Sequence, residues 1–111
     1  MNILILGANG FIGSHLIKGV LESTDWRINA FDLSGTNLEQ YRDSTHFSFT
    51  QGDIFTADEW LKKAVETADV VLLLAGIAKP SYYLSKPLWT FELDFEQNLK
   101  IVRMCVAADK K

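Results

Sequence analysis

Gly7-Ala8-Asn9-Gly10-Phe11-Ile12-Gly13 follows the apolar run Ile3-Leu4-Ile5-Leu6 and precedes a helical pattern. Strand, glycine turn and helix in that order is the context in which such a loop cradles a dinucleotide pyrophosphate. Gly7 lets the chain turn sharply off the strand, Gly10 leaves room for phosphates, and Gly13 lets the new helix lie close. The free N–H groups of the helix start then face the phosphates, with the positive end of the helix dipole behind them.

Working outward, Ile3 to Leu6 reads as a strand buried on both faces. In the helix, Ile12, Leu16 and Val20, widened by Ile17 and Leu21, form an apolar stripe. His15, Lys18 and Glu22 fall on the opposite face, so His15 is read as solvated. Gly19 costs about 1 kcal/mol against alanine inside a helix, and close packing is the expected reason for it. Arg27 to Phe31 reads as the second strand, ended by Asp32, 19 positions beyond Gly13 (32 − 13). A carboxylate there accepts hydrogen bonds from the adenosine ribose hydroxyls. The next residue is Leu33, with no arginine to welcome an extra phosphate, so NAD is preferred over NADP.

Ser34 to Thr45 is polar and reads as a loop with a short helix around Leu38 to Arg42. Phe47-Ser48-Phe49-Thr50 alternates as a half-exposed strand does, and Gly52-Asp53-Ile54 closes it. Thr56-Ala57-Asp58-Glu59 fits a capping box, opening a helix with Trp60, Leu61, Ala64, Val65 and Ala68 on its apolar face. Val70 to Leu74 reads as another fully buried strand. Ala75-Gly76-Ile77-Ala78 follows, small residues at a strand's carboxyl end, where open α/β sheets bind ligands. Lys79 to Pro87 is expected to be a loop. It contains Tyr82 and Lys86 in Y-x-x-x-K spacing, but Pro87 disfavours helix at Lys86, so the pair is set aside as non-catalytic. Pro87 suits a helix's first turn, and Phe91, Phe95, Asn98, Val102 and Cys105 then recur as a long apolar stripe. Asn98 is its polar member, either reaching solvent at the stripe's edge or buried with partners.

The bulk properties narrow the class. The length of 111 residues suggests one domain. Hydrophobic residues make up 48% of the chain and charged residues 23%, the balance of a globular protein. A net charge of −3 without a basic stripe argues against nucleic acid or an anionic membrane as partners. Cys105 is the only cysteine, so no internal disulfide forms, and it is expected to pack as a small apolar residue. The apolar N-terminus lacks the basic flank of a signal peptide, and a cytoplasmic location is expected. No metal site is read.

The G-x-x-G-x-x-G spacing with Phe11-Ile12 resembles the extended short-chain dehydrogenase/reductase family, the NAD-dependent epimerases and dehydratases. Adding Asp32, Gly52-Asp53-Ile54 and the stretch Pro87 to Ile101, the chain is similar to the UDP-glucuronic acid decarboxylase domains of the bifunctional polymyxin-resistance enzymes. The resemblance covers all 111 residues but only the first third of such a domain. It implies an α/β fold: a Rossmann-type doubly wound parallel sheet over residues 1–111, strand order 3-2-1-4. It implies cofactor contacts from Gly7, Asn9, Gly10, Phe11, Ile12, Gly13, Asp32, Asp53, Ile54 and Ala75, with Asp53 near the adenine amino group. Ala78 and Tyr83 would meet the sugar nucleotide, and Asn98 would help place a water near the active lysine. Lys79 and Gly76 depart from that pattern. The family oxidises the sugar's C4 hydroxyl with NAD and then loses CO₂. Its catalytic Ser/Thr and helical Tyr-x-x-x-Lys have no counterpart here, so the chain is expected to be the N-terminal fragment of a homo-oligomeric parent, with no catalytic residue of its own. The alternatives are another nucleotide-sugar epimerase or dehydratase of the family, or a non-catalytic NAD-binding sensor or regulatory module. A helix-flanked interaction domain without ligand is disfavoured by the glycine loop and Asp32.

Overall fold

Alternate residues of the first strand feed two cores. The computed structural model describes all 111 residues, Met1–Lys111. Strands β1 (Asn2–Leu6), β2 (Arg27–Asp32), β3 (Phe47–Gln51) and β4 (Val70–Leu73) form one parallel sheet in the order β3-β2-β1-β4. Leu4 pairs with Asn29 on one side and Val71 on the other, placing β1 in the interior of the sheet. Because strand side chains alternate, Leu4 and Leu6 join Phe31, Leu61, Val65, Leu93 and Ile101 on one face. Ile3 and Ile5 join Ile17, Ile28, Ala30, Leu38 and Phe47 on the other. Each such Leu or Ile, fully buried, stabilises the fold by about 1.5–3 kcal/mol. This is the expected Rossmann-type architecture.

The helices divide between the faces. Helix α1 (Phe11–Ser23) covers the second face through the fully buried Ile17. The polar stretch after β2 forms a 3-10 helix, Thr36–Tyr41, earlier and tighter than the short helix expected at Leu38 to Arg42, and buries Leu38. Helix α2 (Asp58–Thr67) covers the first face. Next come α3 (Pro80–Ser85), α4 (Pro87–Phe91), a π-helical turn Glu92–Gln97, and α5 (Asn98–Ala107). Ile101 of α5 shares the first core with α2, and Lys100 pairs with Asp58 across the two helices.

Several expectations are corrected. Thr56 does not cap α2: its hydroxyl donates to the Asp53 carbonyl, and the helix starts at Asp58 after Ala57 with no side-chain cap. Lys79 to Pro87 is not a plain loop, because Pro80 at a first-turn position opens α3. That helix ends at Ser85, and Lys86 leaves helical geometry with φ −138° and ψ 58°. The following proline disfavours the helical region at Lys86. The stripe on the last helix is the neighbouring one. Phe91, Phe95 and Val102 are exposed, while Thr90, Leu93, Gln97 and Ile101 are buried. Two of those four are polar, so hydrophobic periodicity selects the wrong face. Thr90 donates to the Lys86 carbonyl and Gln97 to the Ile54 carbonyl, which makes their burial tolerable. Cys105 does pack against the first core, and partial burial pushes its thiol pKa up. Strand β4 is half-buried along its length, not fully, because it lies at the sheet's edge. The Val71 N–H there donates to the Lys111 carbonyl. Ile12 is exposed and lies off the buried stripe of α1. A Cβ at Gly19 would meet nothing within 4 Å, so close packing does not explain that glycine. No helix is long and apolar enough to cross a membrane.

Candidate functional site

The glycine turn is held from both sides by backbone. Gly7 N–H donates to the Phe31 carbonyl at 3.0 Å and Ala8 N–H to the same oxygen at 3.2 Å, pinning the turn to the end of β2. Gly7 has φ +86°, and a Cβ there would stand 2.4 Å from the Ala75 nitrogen, so the turn also abuts the chain leaving β4. A Cβ on Gly13 would come within 2.6 Å of the Ala8 carbonyl oxygen and 2.7 Å of that of Gly7. Gly13 therefore admits the turn's own carbonyls more than the sheet. No side chain caps α1 at Gly10, which leaves the helix's first N–H groups open to an anion.

Asp32 sits half-buried at the end of β2. Its Oδ2 accepts from the Asn9 N–H at 2.8 Å and its Oδ1 from the Leu33 N–H at 2.7 Å. A carboxylate has about four acceptor sites, so both oxygens keep capacity for ribose hydroxyls. Asn9 is laced to the 3-10 helix: its Oδ1 accepts from the Asn37 N–H at 2.8 Å, and its carbonyl from Asn37 Nδ2 at 2.9 Å. Asp53 accepts from the Phe55 N–H at 2.9 Å, closing a tight turn.

A cavity of about 310 Å³ opens at the carboxyl ends of the strands. Of the residues expected at a cofactor, it is lined by Gly7, Gly10, Asp32, Asp53, Ile54 and Ala75, joined by Leu33, Gly76, Ile77, Trp89 and Leu93 among others. The lining holds two carboxylates and no lysine or arginine. Asn9, Phe11, Ile12, Gly13, Ala78 and Tyr83 do not line it. Asn9 has its side chain turned to Asn37, Gly13 is buried beneath the turn, and Phe11 and Ile12 are exposed at 79% and 66%. Ala78 is exposed on the loop, and the Tyr83 hydroxyl donates to the Ile77 carbonyl at 3.0 Å. Lys86 Nζ lies 5.4 Å from the centre of the Tyr82 ring and 5.3 Å from that of Trp89. That is a cation held over aromatic faces, not an ammonium beside a phenol oxygen. Neither Tyr82 nor Lys86 lines the cavity.

Sequence reasoning misses three residues that shape this cavity. Gln97 holds Ile54, and Asp94 Oδ1 accepts from the Ile77 N–H at 2.6 Å. Trp89 on the rim is the third omission. Asn98 does stand out in the sequence, and the structure defines its partners: Nδ2 donates to the Ala75 carbonyl at 3.2 Å, while its buried Oδ1 has no protein partner. Nothing local marks the missed side chains, because their partners lie on other elements.

A family model described as the NAD dependent epimerase/dehydratase family matches residues 3–111. The chain belongs to that family. NAD is the family's cofactor. Among solved structures, the PbgP3 protein from Burkholderia pseudomallei is 45% identical, with a TM-score of 0.93 over 98% of this chain and 32% of that one. A UDP-glucuronic acid 4-epimerase from Bacillus cereus, solved with UDP-glucuronic acid and NAD, is 27% identical at a TM-score of 0.83, over 95% of this chain and 36% of that one. DesIV, a dTDP-glucose 4,6-dehydratase from Streptomyces venezuelae, is 20% identical at a TM-score of 0.88, over 99% of this chain and 37% of that one, and shows the fold alone. The chain thus spans about a third of the length of these proteins.

Proposed function

We propose that this chain is the NAD-binding part of a nucleotide-sugar-modifying enzyme, acting on UDP-glucuronate by oxidation at C4 followed by loss of CO₂. The observation that carries the cofactor reading is the cavity that joins the uncapped start of α1 to Asp32, with no basic residue in its lining. Gly7 and Gly10 would border the pyrophosphate, Asp32 the adenosine ribose and Asp53 the adenine. Ile54 and Ala75 would pack against the cofactor's apolar surface. When bound, NAD supplies the acceptor for the hydride that leaves the sugar carbon bearing the hydroxyl, while the hydroxyl itself gives up a proton. The chain's own residues bind and orient it. Ala78 and Tyr83 are proposed for the sugar side, beyond the Gly76–Ile77 wall. Asn9, Phe11, Ile12 and Gly13 are proposed to act as the turn and helix start around the phosphates, through backbone more than through side chains.

Support for a sugar nucleotide comes from the 27% identical Bacillus cereus enzyme that holds UDP-glucuronic acid. That enzyme also favours a second reading, 4-epimerisation of the same substrate. The catalytic base would come from sequence outside these 111 residues, since Tyr82 and Lys86 stand apart from the cavity. The whole protein is proposed to be a homo-oligomer in the cytoplasm.

Calorimetric titration of the chain with NAD and NADP tests the cofactor reading. NAD is expected to bind more tightly. Asp32→Ala is expected to cost about 1.5–3 kcal/mol of that binding, the range for a hydrogen bond to a charged group. Equal affinity for both cofactors would overturn it. For the reaction, carboxyl-labelled UDP-glucuronate given to the protein at the length of its relatives should release labelled CO₂. A 4-epimer without CO₂ would decide for the second reading.

A further inference from the structure

The chain leaving β4 is gripped at successive peptides by side chains from later helices. Asn98 Nδ2 holds the Ala75 carbonyl at 3.2 Å. Asp94 Oδ1 takes the Ile77 N–H at 2.6 Å, the short length of a charge-assisted bond. Tyr83 donates its hydroxyl to the Ile77 carbonyl at 3.0 Å. The Ile77 residue is therefore fixed at both of its backbone polar groups, one by the π-helical turn and one by α3. The same Asp94 oxygen stands 3.3 Å from where a Cβ on Gly76 would lie, so the carboxylate rests against the outer side of this segment. Gly76 and Ile77 in turn line the cavity.

Their place in the sheet gives the grip a consequence. Asp32, at the end of β2, marks the adenosine side. In a sheet ordered β3-β2-β1-β4 the other half of a dinucleotide crosses the switch point beside β1 toward the carboxyl end of β4. Ala75, Gly76 and Ile77 are that end. We propose that Asp94 and Tyr83 are positioning residues that hold the Gly76–Ile77 wall in place for the nicotinamide half of the cofactor. The inference rests on the NAD reading above. A segment already immobilised loses little conformational freedom when ligand arrives, which raises affinity without any direct contact.

Two measurements test it. Hydrogen exchange at the Ile77 amide, followed without ligand, reads the grip alone. Asp94→Ala is expected to accelerate that exchange. Asp94→Asn, which keeps an oxygen acceptor, is expected to restore much of the protection, and Tyr83→Phe is expected to give a smaller loss. Titrations with NAD and with ADP-ribose read the consequence. Asp94→Ala should weaken NAD about tenfold and leave ADP-ribose unchanged, with partial rescue by Asp94→Asn. Unchanged exchange in Asp94→Ala, or equal weakening of NAD and ADP-ribose, would overturn the proposal. If the unsubstituted chain binds ADP-ribose and NAD equally, the wall does not meet nicotinamide and the proposal fails while the cofactor site stands. If it binds neither, the NAD reading fails and the proposal falls with it, and the exchange data still report whether the grip exists.

Discussion

On the β2 side of the cavity the walls are held by backbone close to them in the chain or in the neighbouring strand. Gly7 and Ala8 donate to Phe31, Asp32 accepts from Asn9 and Leu33, and Gly13 fits under the carbonyls of Gly7 and Ala8. On the β4 side the Ala75–Ile77 wall is held by the side chains of Tyr83, Asp94 and Asn98, and Ile54, just beyond β3, is held in the same way by Gln97. The first arrangement depends on what a position lacks, namely a Cβ. The second depends on what a distant side chain supplies. Backbone constraints of the first kind leave no room for a side chain at Gly7 or Gly13, whereas the second kind loses one bond at a time.

The largest break in that comparison is expected at Gly7. Gly7→Ala combines left-handed backbone strain of about 1–2 kcal/mol with an overpacking cost of about 1–3 kcal/mol, because its Cβ meets the Leu74–Ala75 backbone. Urea unfolding followed by circular dichroism should show a lower midpoint. An unchanged midpoint would mean that the turn is not locked by its lack of a side chain.

A smaller loss is expected where a distant side chain supplies the bond. Gln97→Leu keeps the volume but leaves the Ile54 carbonyl without its donor, a cost of about 1–3 kcal/mol. The same unfolding experiment reads it. A variant as stable as the parent would show that water or a shifted peptide replaces the amide.

The smallest effect has the opposite sign. Gly19→Ala places a methyl in open space on the exposed side of α1, so the helix should gain about 0.5–1 kcal/mol from reduced backbone freedom in the unfolded chain. A destabilised Gly19→Ala would reveal a contact on that face. Against Gly7, it separates a glycine the fold requires from one it merely carries.

Much of the fold is legible directly, and so are six of the residues that line the candidate cavity. The apolar runs and their spacing locate all four strands, and Gly7, Gly10, Asp32, Asp53, Ile54 and Ala75 do converge on one cavity. The misreadings lie where polarity and burial part company. Gln97 and Thr90 look like surface residues and are buried, while Phe91 and Phe95 look like core and stack on each other in the open at 5.2 Å. Thr56 and Glu59 have capping-box spacing, yet Thr56 is used by the Asp53 turn instead.

The sequence by itself determined the strand–glycine turn–helix unit, the acidic end of β2 and the absence of a basic group beside it. These follow from steric and dipolar properties carried by the residues within one βαβ unit. Only the tertiary structure decided which face of the last helix is buried and that Asp94 and Tyr83 close on Ile77. Those choices depend on donors and acceptors 6 to 43 residues apart in the chain, and a hydrogen bond between such partners exists only once the sheet and its covering helices have brought them together.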